Sequence, residues 1–199
     1  MILVTGGCRS GKSEYGEKLV EAMGKRRLYV ATGKVFDDEM AQRVEKHKER
    51  RGELWITHEG YLDLEDLDYA GFDGILLDSV TSMVTNLLFD FIGGLTAAEA
   101  AGDSDMDFSG DSDIDFAAVD FDEAESFIME KYQRFAAAVE EKRLPYVMVT
   151  DEIGLGVVPE TPLGRGFRDI LGRVNQYLAA QAEQVYFVIS GIPVQIKAE

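Results

Sequence analysis

The residues Gly6-Gly7-Cys8-Arg9-Ser10-Gly11-Lys12-Ser13 match the pattern G-x-x-x-x-G-K-[ST] completely. Each position in that pattern has a chemical job. Glycines let successive backbone N–H groups turn inward and cradle phosphate oxygens. The Lys12 ammonium then reaches the β- and γ-phosphates, and the Ser13 hydroxyl is placed to ligate Mg²⁺. A helix opening near Lys12 adds the positive end of its dipole. The octapeptide follows the apolar run Met1-Ile2-Leu3-Val4-Thr5, so it stands between a strand candidate and a helix candidate, where such a loop must stand. The segment predicts binding of a nucleoside triphosphate.

A triphosphate loop of this kind works with a second Mg²⁺ partner, usually a carboxylate closing a buried strand. Asp78, at the end of Gly74-Ile75-Leu76-Leu77, is the first candidate. Asp151 and Glu152, closing Tyr146-Val147-Met148-Val149-Thr150, compete with it. Arg9 points into the same loop and is a candidate to assist there or to form a surface ion pair. The segment 37–51 is rich in both signs of charge and reads as a helix, with Glu39, Arg43, His47 and Arg50 on one face. A histidine among lysines and arginines is held toward its neutral form by like charge, which suits a nucleophile near pH 7. The same residues also fit an ordinary solvated basic face. The other histidine, His58, lies beside Glu59 and reads as structural or substrate-side.

These residues need a frame. Short apolar runs rich in β-branched residues alternate with helix-period segments, the signature of a mostly parallel α/β sheet with helices on both faces. Strands are predicted over 1–5, 28–31, 74–78, 146–150 and 185–190, with weaker ones at 54–57 and 193–197. Helices are predicted over 12–24, 37–51, 80–92, 122–142 and 165–182. The stretch 95–122 interrupts the alternation. It is rich in Gly, Ser and Asp and carries a near-tandem repeat, Asp103-Ser104-Asp105-Met106-Asp107-Phe108 and Asp111-Ser112-Asp113-Ile114-Asp115-Phe116. It reads as a solvated acidic insertion in a single domain spanning 1–199; a cation-binding loop is the sharper reading, although the EF-hand register and its closing Glu are missing.

Bulk composition narrows the function classes. With 46% apolar residues and 10% aromatics, 199 residues build a sizeable core, which excludes disorder of the whole chain. The net charge of −17 makes nucleic acid or an anionic membrane a poor partner. Lys and Arg are absent from 52–130 and gather around the glycine loop and the segment after it, where an anionic ligand would sit. No uninterrupted apolar stretch of about 18 residues predicts a transmembrane helix. The N-terminus lacks the basic region of a signal peptide, and a single cysteine, Cys8, fits a reducing cytoplasmic setting.

The glycine loop, the 37–51 segment and four further blocks together resemble the bifunctional adenosylcobinamide kinase/adenosylcobinamide-phosphate guanylyltransferases. Those blocks are Thr81-Ser82-Met83-Val84-Thr85-Asn86-Leu87-Leu88, the run 149–160 (VTDEIGLGVVPE), the run 167–176 (FRDILGRVNQ) and Val188-Ile189-Ser190-Gly191. The resemblance covers nearly the whole chain except about 95–122. It implies a RecA-like P-loop core, assembly as a homotrimer, and Mg²⁺ as cofactor. It also implies two reactions, phosphorylation of adenosylcobinamide by ATP or GTP and transfer of GMP from GTP to adenosylcobinamide phosphate. His47 falls at the family's nucleophile position, so a GMP-histidine intermediate is expected there. Nucleotide contacts are expected at Gly6, Gly7, Cys8, Arg9, Ser10, Gly11, Lys12 and Ser13, at Ala31, Thr32 and Gly33, at Lys48, Glu49, Arg50 and Arg51, and at Glu59 and Asp78. Ser13 and Asp78 are the expected metal contacts. A P-loop small-molecule kinase without guanylyl transfer and a RecA-like ATPase module are the alternatives.

Overall fold

The computed structural model describes residues 1–34, 52–100 and 119–198, with side chains described outside 95–100. Its frame is a seven-stranded sheet: β1 (Ile2–Gly6), β2 (Arg27–Ala31), β3 (Trp55–Glu59), β4 (Gly74–Asp78), β5 (Tyr146–Asp151), β6 (Gln184–Ile189) and β7 (Ile192–Lys197). The spatial order is β3-β2-β4-β5-β1-β6-β7. Strands β1 to β6 are mutually parallel, and only β7 runs antiparallel, beside β6. The helices are α1 (Lys12–Glu21), α2 (Val80–Ala100), α3 (Phe121–Glu141) and α4 (Pro162–Gln181), with a 3₁₀ turn at Leu64–Asp66.

Alternation along each strand splits the core in two, as a sheet covered on both faces requires. Val4, Leu76, Val147 and Val149 pack with Val20 of α1. Their neighbours Leu3, Ile75, Leu77 and Met148 pack with α2, α3 and α4 on the other face. The expected α/β architecture, a mostly parallel sheet with helices on both faces, is therefore present.

Element boundaries differ from expectation where local signals compete. Helix α2 continues through Gly93-Gly94 to Ala100 instead of ending near 92, because the alanine-rich run that follows is strongly helix-forming. Helix α4 begins at Pro162, three residues early, with the Thr161 hydroxyl accepting from the Gly164 N–H at 3.1 Å. That Thr-Pro pair is an N-cap followed by a first-turn proline. Asp120 caps α3 in the same way, accepting from the N–H groups of Asp122 and Glu123. The 37–51 helix and the aspartate repeat at 103–116 lie outside the described residues.

The α3 layer is anchored by aromatic side chains. Tyr132 and Phe135 are fully buried. The Tyr132 hydroxyl donates to the Val80 carbonyl at 2.8 Å, and Phe135 meets Tyr69 and Tyr146 edge to face. Phe135→Ala is expected to lower unfolding free energy by about 4 kcal/mol, read from urea denaturation, because it opens a cavity in a packed layer.

Candidate active site

Because β1 to β6 point the same way, Gly6, Ala31, Glu59, Asp78 and Asp151 all arrive at one edge of the sheet. Ligands of open α/β sheets bind outside the carboxyl ends of the strands, where successive crossovers leave in opposite directions. Here β1 sends the chain through α1 toward β2, while β5 sends it through α4 to β6 on the far side of β1. The crevice lies between β1 and β5, and the glycine loop emerges from it.

The loop's shape depends on two glycines. A Cβ on Gly6 would stand 2.5 Å from the Val188 carbonyl oxygen and 2.7 Å from Ser10 Oγ. Gly11 has φ +93° and packs against the Cα of Gly191, where a Cβ would come within 3.3 Å. The Gly191 N–H donates to the Ser10 carbonyl at 2.7 Å, so the β6–β7 turn braces the loop from outside. Gly7, Cys8 and Arg9 are exposed, and Arg9 also adopts a left-handed backbone. Gly11 starts α1 without any side-chain cap. The first-turn N–H groups therefore keep their donor capacity for an anion.

Lys12 is buried, and its Nζ lies 2.5 Å from Asp151 Oδ1 and 3.2 Å from the Gly7 carbonyl oxygen. Asp151 is in register with Gly6 across the β1–β5 ladder. Its peptide is held on both sides: the Asp151 N–H donates to Thr81 Oγ1 at 2.8 Å, and Asn175 Nδ2 donates to the Asp151 carbonyl at 3.1 Å. Asn175 is itself fixed by a 2.7 Å bond from the fully buried Thr150 hydroxyl. Glu152, the other candidate at this strand end, turns its carboxylate back to the Gly154 N–H at 2.6 Å.

Asp78 closes β4, separated from β1 by β5, and so lies roughly 10 Å across the sheet from the loop strand. Its Oδ2 accepts from the Tyr29 hydroxyl at 2.8 Å. Tyr29 is set edge to face against Trp55. Ser13 is half-buried in the first turn of α1. One hydroxyl, one carboxylate and the oxygens of a triphosphate form a hard donor set that suits Mg²⁺, which typically keeps several waters. Among the described residues no three His, Cys, Asp or Glu side chains group into a metal site.

The other expected contacts divide sharply. Thr32 is buried; its hydroxyl donates to the Ser79 carbonyl and accepts from the Ser79 N–H, while its carbonyl accepts from Asn86 Nδ2. Thr32 thus ties the end of β2 to Ser79 through its hydroxyl and to α2 through its carbonyl, and Ala31 is half-exposed and Gly33 exposed. Glu59 ends β3, four strand positions from β1 and roughly 19 Å from it. That span places it well away from phosphates held by Gly6–Ser13. Lys34 follows Gly33 with its ammonium over the Tyr61 ring and 3.7 Å from Asp90. Hydrogen bonding to Tyr61, then the charge of Asp90, holds the Lys34 pKa above its usual value against the opposing effect of burial. His47, Lys48, Glu49, Arg50 and Arg51 lie outside the described residues. Thr81, Asn175 and the Gly191 brace escaped residue-by-residue reading, because each acts through contacts distant in sequence.

Comparison with known proteins gives the family. The chain is 44% identical over 200 residues to the bifunctional adenosylcobalamin biosynthesis protein CobU of Escherichia coli (strain K12), covering 99% of both chains. It is equally similar to the CobU protein of Salmonella typhimurium, and 28% identical to the CobP protein of Pseudomonas aeruginosa over 99% and 97% of the two chains. Among solved structures, the RadB recombinase is similar at 14% identity with a TM-score of 0.42, over 94% of this chain and 73% of that one. That likeness is slight, and the fold assignment rests on the strand order and the loop geometry. The family model for cobinamide kinase / cobinamide phosphate guanyltransferase matches residues 2–196, and the chain belongs to that family.

Proposed function

We propose that this protein phosphorylates the aminopropanol hydroxyl of adenosylcobinamide with ATP or GTP, then transfers GMP from GTP to the resulting phosphate. The observation that carries this reading is the family match across 2–196 together with a complete triphosphate loop at the crevice. In the first reaction the loop N–H groups and Lys12 orient the γ-phosphate and offset its charge. In the second, a ring nitrogen of His47 attacks the α-phosphorus of GTP, and the bond to the β-phosphate oxygen breaks, releasing pyrophosphate. An oxygen of adenosylcobinamide phosphate then attacks the same phosphorus, the P–N bond breaks, and adenosylcobinamide-GDP forms. A covalent intermediate divides one difficult transfer into two easier displacements. Lys48, Glu49, Arg50 and Arg51 would surround the leaving pyrophosphate, and Ala31, Gly33 and Glu59 the nucleoside end.

Ser13 and Asp78 would hold Mg²⁺, which supplies neutralisation of phosphate charge when bound. Asp78→Asn is expected to raise the Mg²⁺ concentration for half-maximal phosphorylation by about tenfold or more, read from a rate titration at fixed nucleotide. Assembly as a homotrimer and a cytoplasmic setting belong to the same proposal, and sedimentation velocity tests the first.

The deciding assay incubates the protein with adenosylcobinamide and GTP and resolves the phosphate from the GDP product. Both should appear in sequence. Accumulation of the phosphate alone would favour a kinase without guanylyl transfer. Nucleotide hydrolysis indifferent to cobinamide would favour an ATPase module.

A further inference from the structure

We propose that Asp151 is the proton acceptor for the phosphorylation step, released for that task when Lys12 passes from its carboxylate to the incoming phosphates. The inference rests on the kinase half of the proposed function. It begins from a conflict of charge. Lys12 serves a triphosphate by contacting its β- and γ-oxygens, yet its Nζ also sits 2.5 Å from Asp151 Oδ1. One ammonium cannot hold the carboxylate and the phosphates equally, and the phosphates carry more charge. Asp151 thus competes with the γ-phosphate for the same ammonium, and the two anions must lie side by side around it.

The Asp151 backbone is held at the end of β5, beside the glycine loop. Its peptide is clamped by Thr81 Oγ1 at 2.8 Å and Asn175 Nδ2 at 3.1 Å, and the next N–H, of Glu152, donates to the Gly6 carbonyl at 3.1 Å. With its backbone so held, the side chain keeps its carboxylate within reach of the crevice, and an oxygen is freed when Lys12 turns to the phosphates. A carboxylate fixed against a phosphate anion is repelled unless something positive lies between them. The hydroxyl proton of the attacking alcohol fills that place. Glu152 is turned to its own loop, and Asp78 is roughly 10 Å across the sheet from β1, engaged by Tyr29.

The step balances. The alcohol O–H proton passes to the Asp151 carboxylate as the alcohol oxygen bonds to the γ-phosphorus. The bond from that phosphorus to the β,γ-bridging oxygen breaks, and its electron pair leaves with the nucleoside diphosphate. The proton is afterwards lost to water. Guanylyl transfer has no such need, since its acceptor is already an ionised phosphate oxygen.

Asp151→Asn keeps the side chain's size and removes its charge and basicity. The expected result is a fall in adenosylcobinamide phosphorylation of about 10² to 10⁴-fold, the ordinary contribution of a positioned base. Guanylyl transfer to supplied adenosylcobinamide phosphate should change at least about tenfold less than phosphorylation does, since its acceptor needs no base. Binding of Mg²⁺-ATP, titrated without any cobinamide, should tighten several-fold because Lys12 no longer has an internal competitor. Phosphorylation within about threefold of wild type would overturn the proposal, as would an equal loss of both transfers. Weaker Mg²⁺-ATP binding would also overturn it, because that marks Asp151 as a metal ligand or as structural. Failure of the wild-type protein to phosphorylate adenosylcobinamide would instead reject the parent reading, while the binding arm still decides whether Asp151 competes for Lys12.

Discussion

His47→Ala is expected to abolish formation of adenosylcobinamide-GDP while leaving phosphorylation of adenosylcobinamide within a few-fold of wild type. The reason is the division of labour between the two reactions. On the proposed reading phosphorylation draws on Lys12, the loop N–H groups and Asp151, and Lys12 and Asp151 meet at the β1–β5 crevice. Guanylyl transfer through a covalent intermediate draws on a nucleophile, and removing a nucleophile removes the route. A loss of roughly 10⁴-fold or more is the scale expected for such a residue. The direct measurement uses α-labelled GTP. Wild type should retain acid-labile label on the polypeptide, and the variant none. A His47→Ala protein that made adenosylcobinamide-GDP at a normal rate would sink the covalent mechanism and leave direct attack on GTP in its place.

Lys12→Met should show the complementary pattern, with both transfers falling together by about 10² to 10³-fold, the scale for removing one positioned charge from a phosphoryl-transfer site. On the proposed reading both reactions begin from a triphosphate seated in the same loop, so neither is spared. The substitution also leaves the Asp151 carboxylate without the cation that faces it at 2.5 Å. The carboxylate at the end of β5 then faces the γ-phosphate with no ammonium between them, and nucleotide binding should weaken, seen as a raised KM for ATP and GTP alike. A variant that lost phosphorylation alone would show that guanylyl transfer seats its GTP elsewhere. The roughly 19 Å between β1 and Glu59 makes that measurement informative, because a single nucleotide must bridge much of this span to engage both ends.

Much of the frame was legible before any coordinates. The alternation of apolar runs and helical periods required a covered parallel sheet, and the division of Leu3 from Val4 and of Ile75 from Leu76 between the two faces is that pattern made physical. Asp78 could be marked as a strand-end carboxylate because the four residues before it are apolar. The weaker strands at 54–57 and 193–197 proved real as the sheet's two edges. Edge strands carry less apolar character, which is why they signalled faintly. Gly93-Gly94 looked like a helix end and is not one, since helix propensity sums over the residues that follow.

What the sequence determined by itself is the chemistry that depends on order along the chain. Gly6, Gly11, Lys12 and Ser13 are bound to one another through a few peptide units, so their spacing alone specifies a phosphate cradle. Family membership is legible for the same reason, as blocks in a fixed order. What only tertiary structure decided is partnership between distant residues. No spacing rule pairs Lys12 with Asp151, clamps Asp151 between Thr81 and Asn175, or turns Glu152 away. Nothing local distinguishes Asp151 from Asp78 as a strand-end carboxylate. The strand order separates them, because it sets β5 directly beside the loop strand and β4 one place beyond, and a charge acts most strongly on the nearest opposite charge.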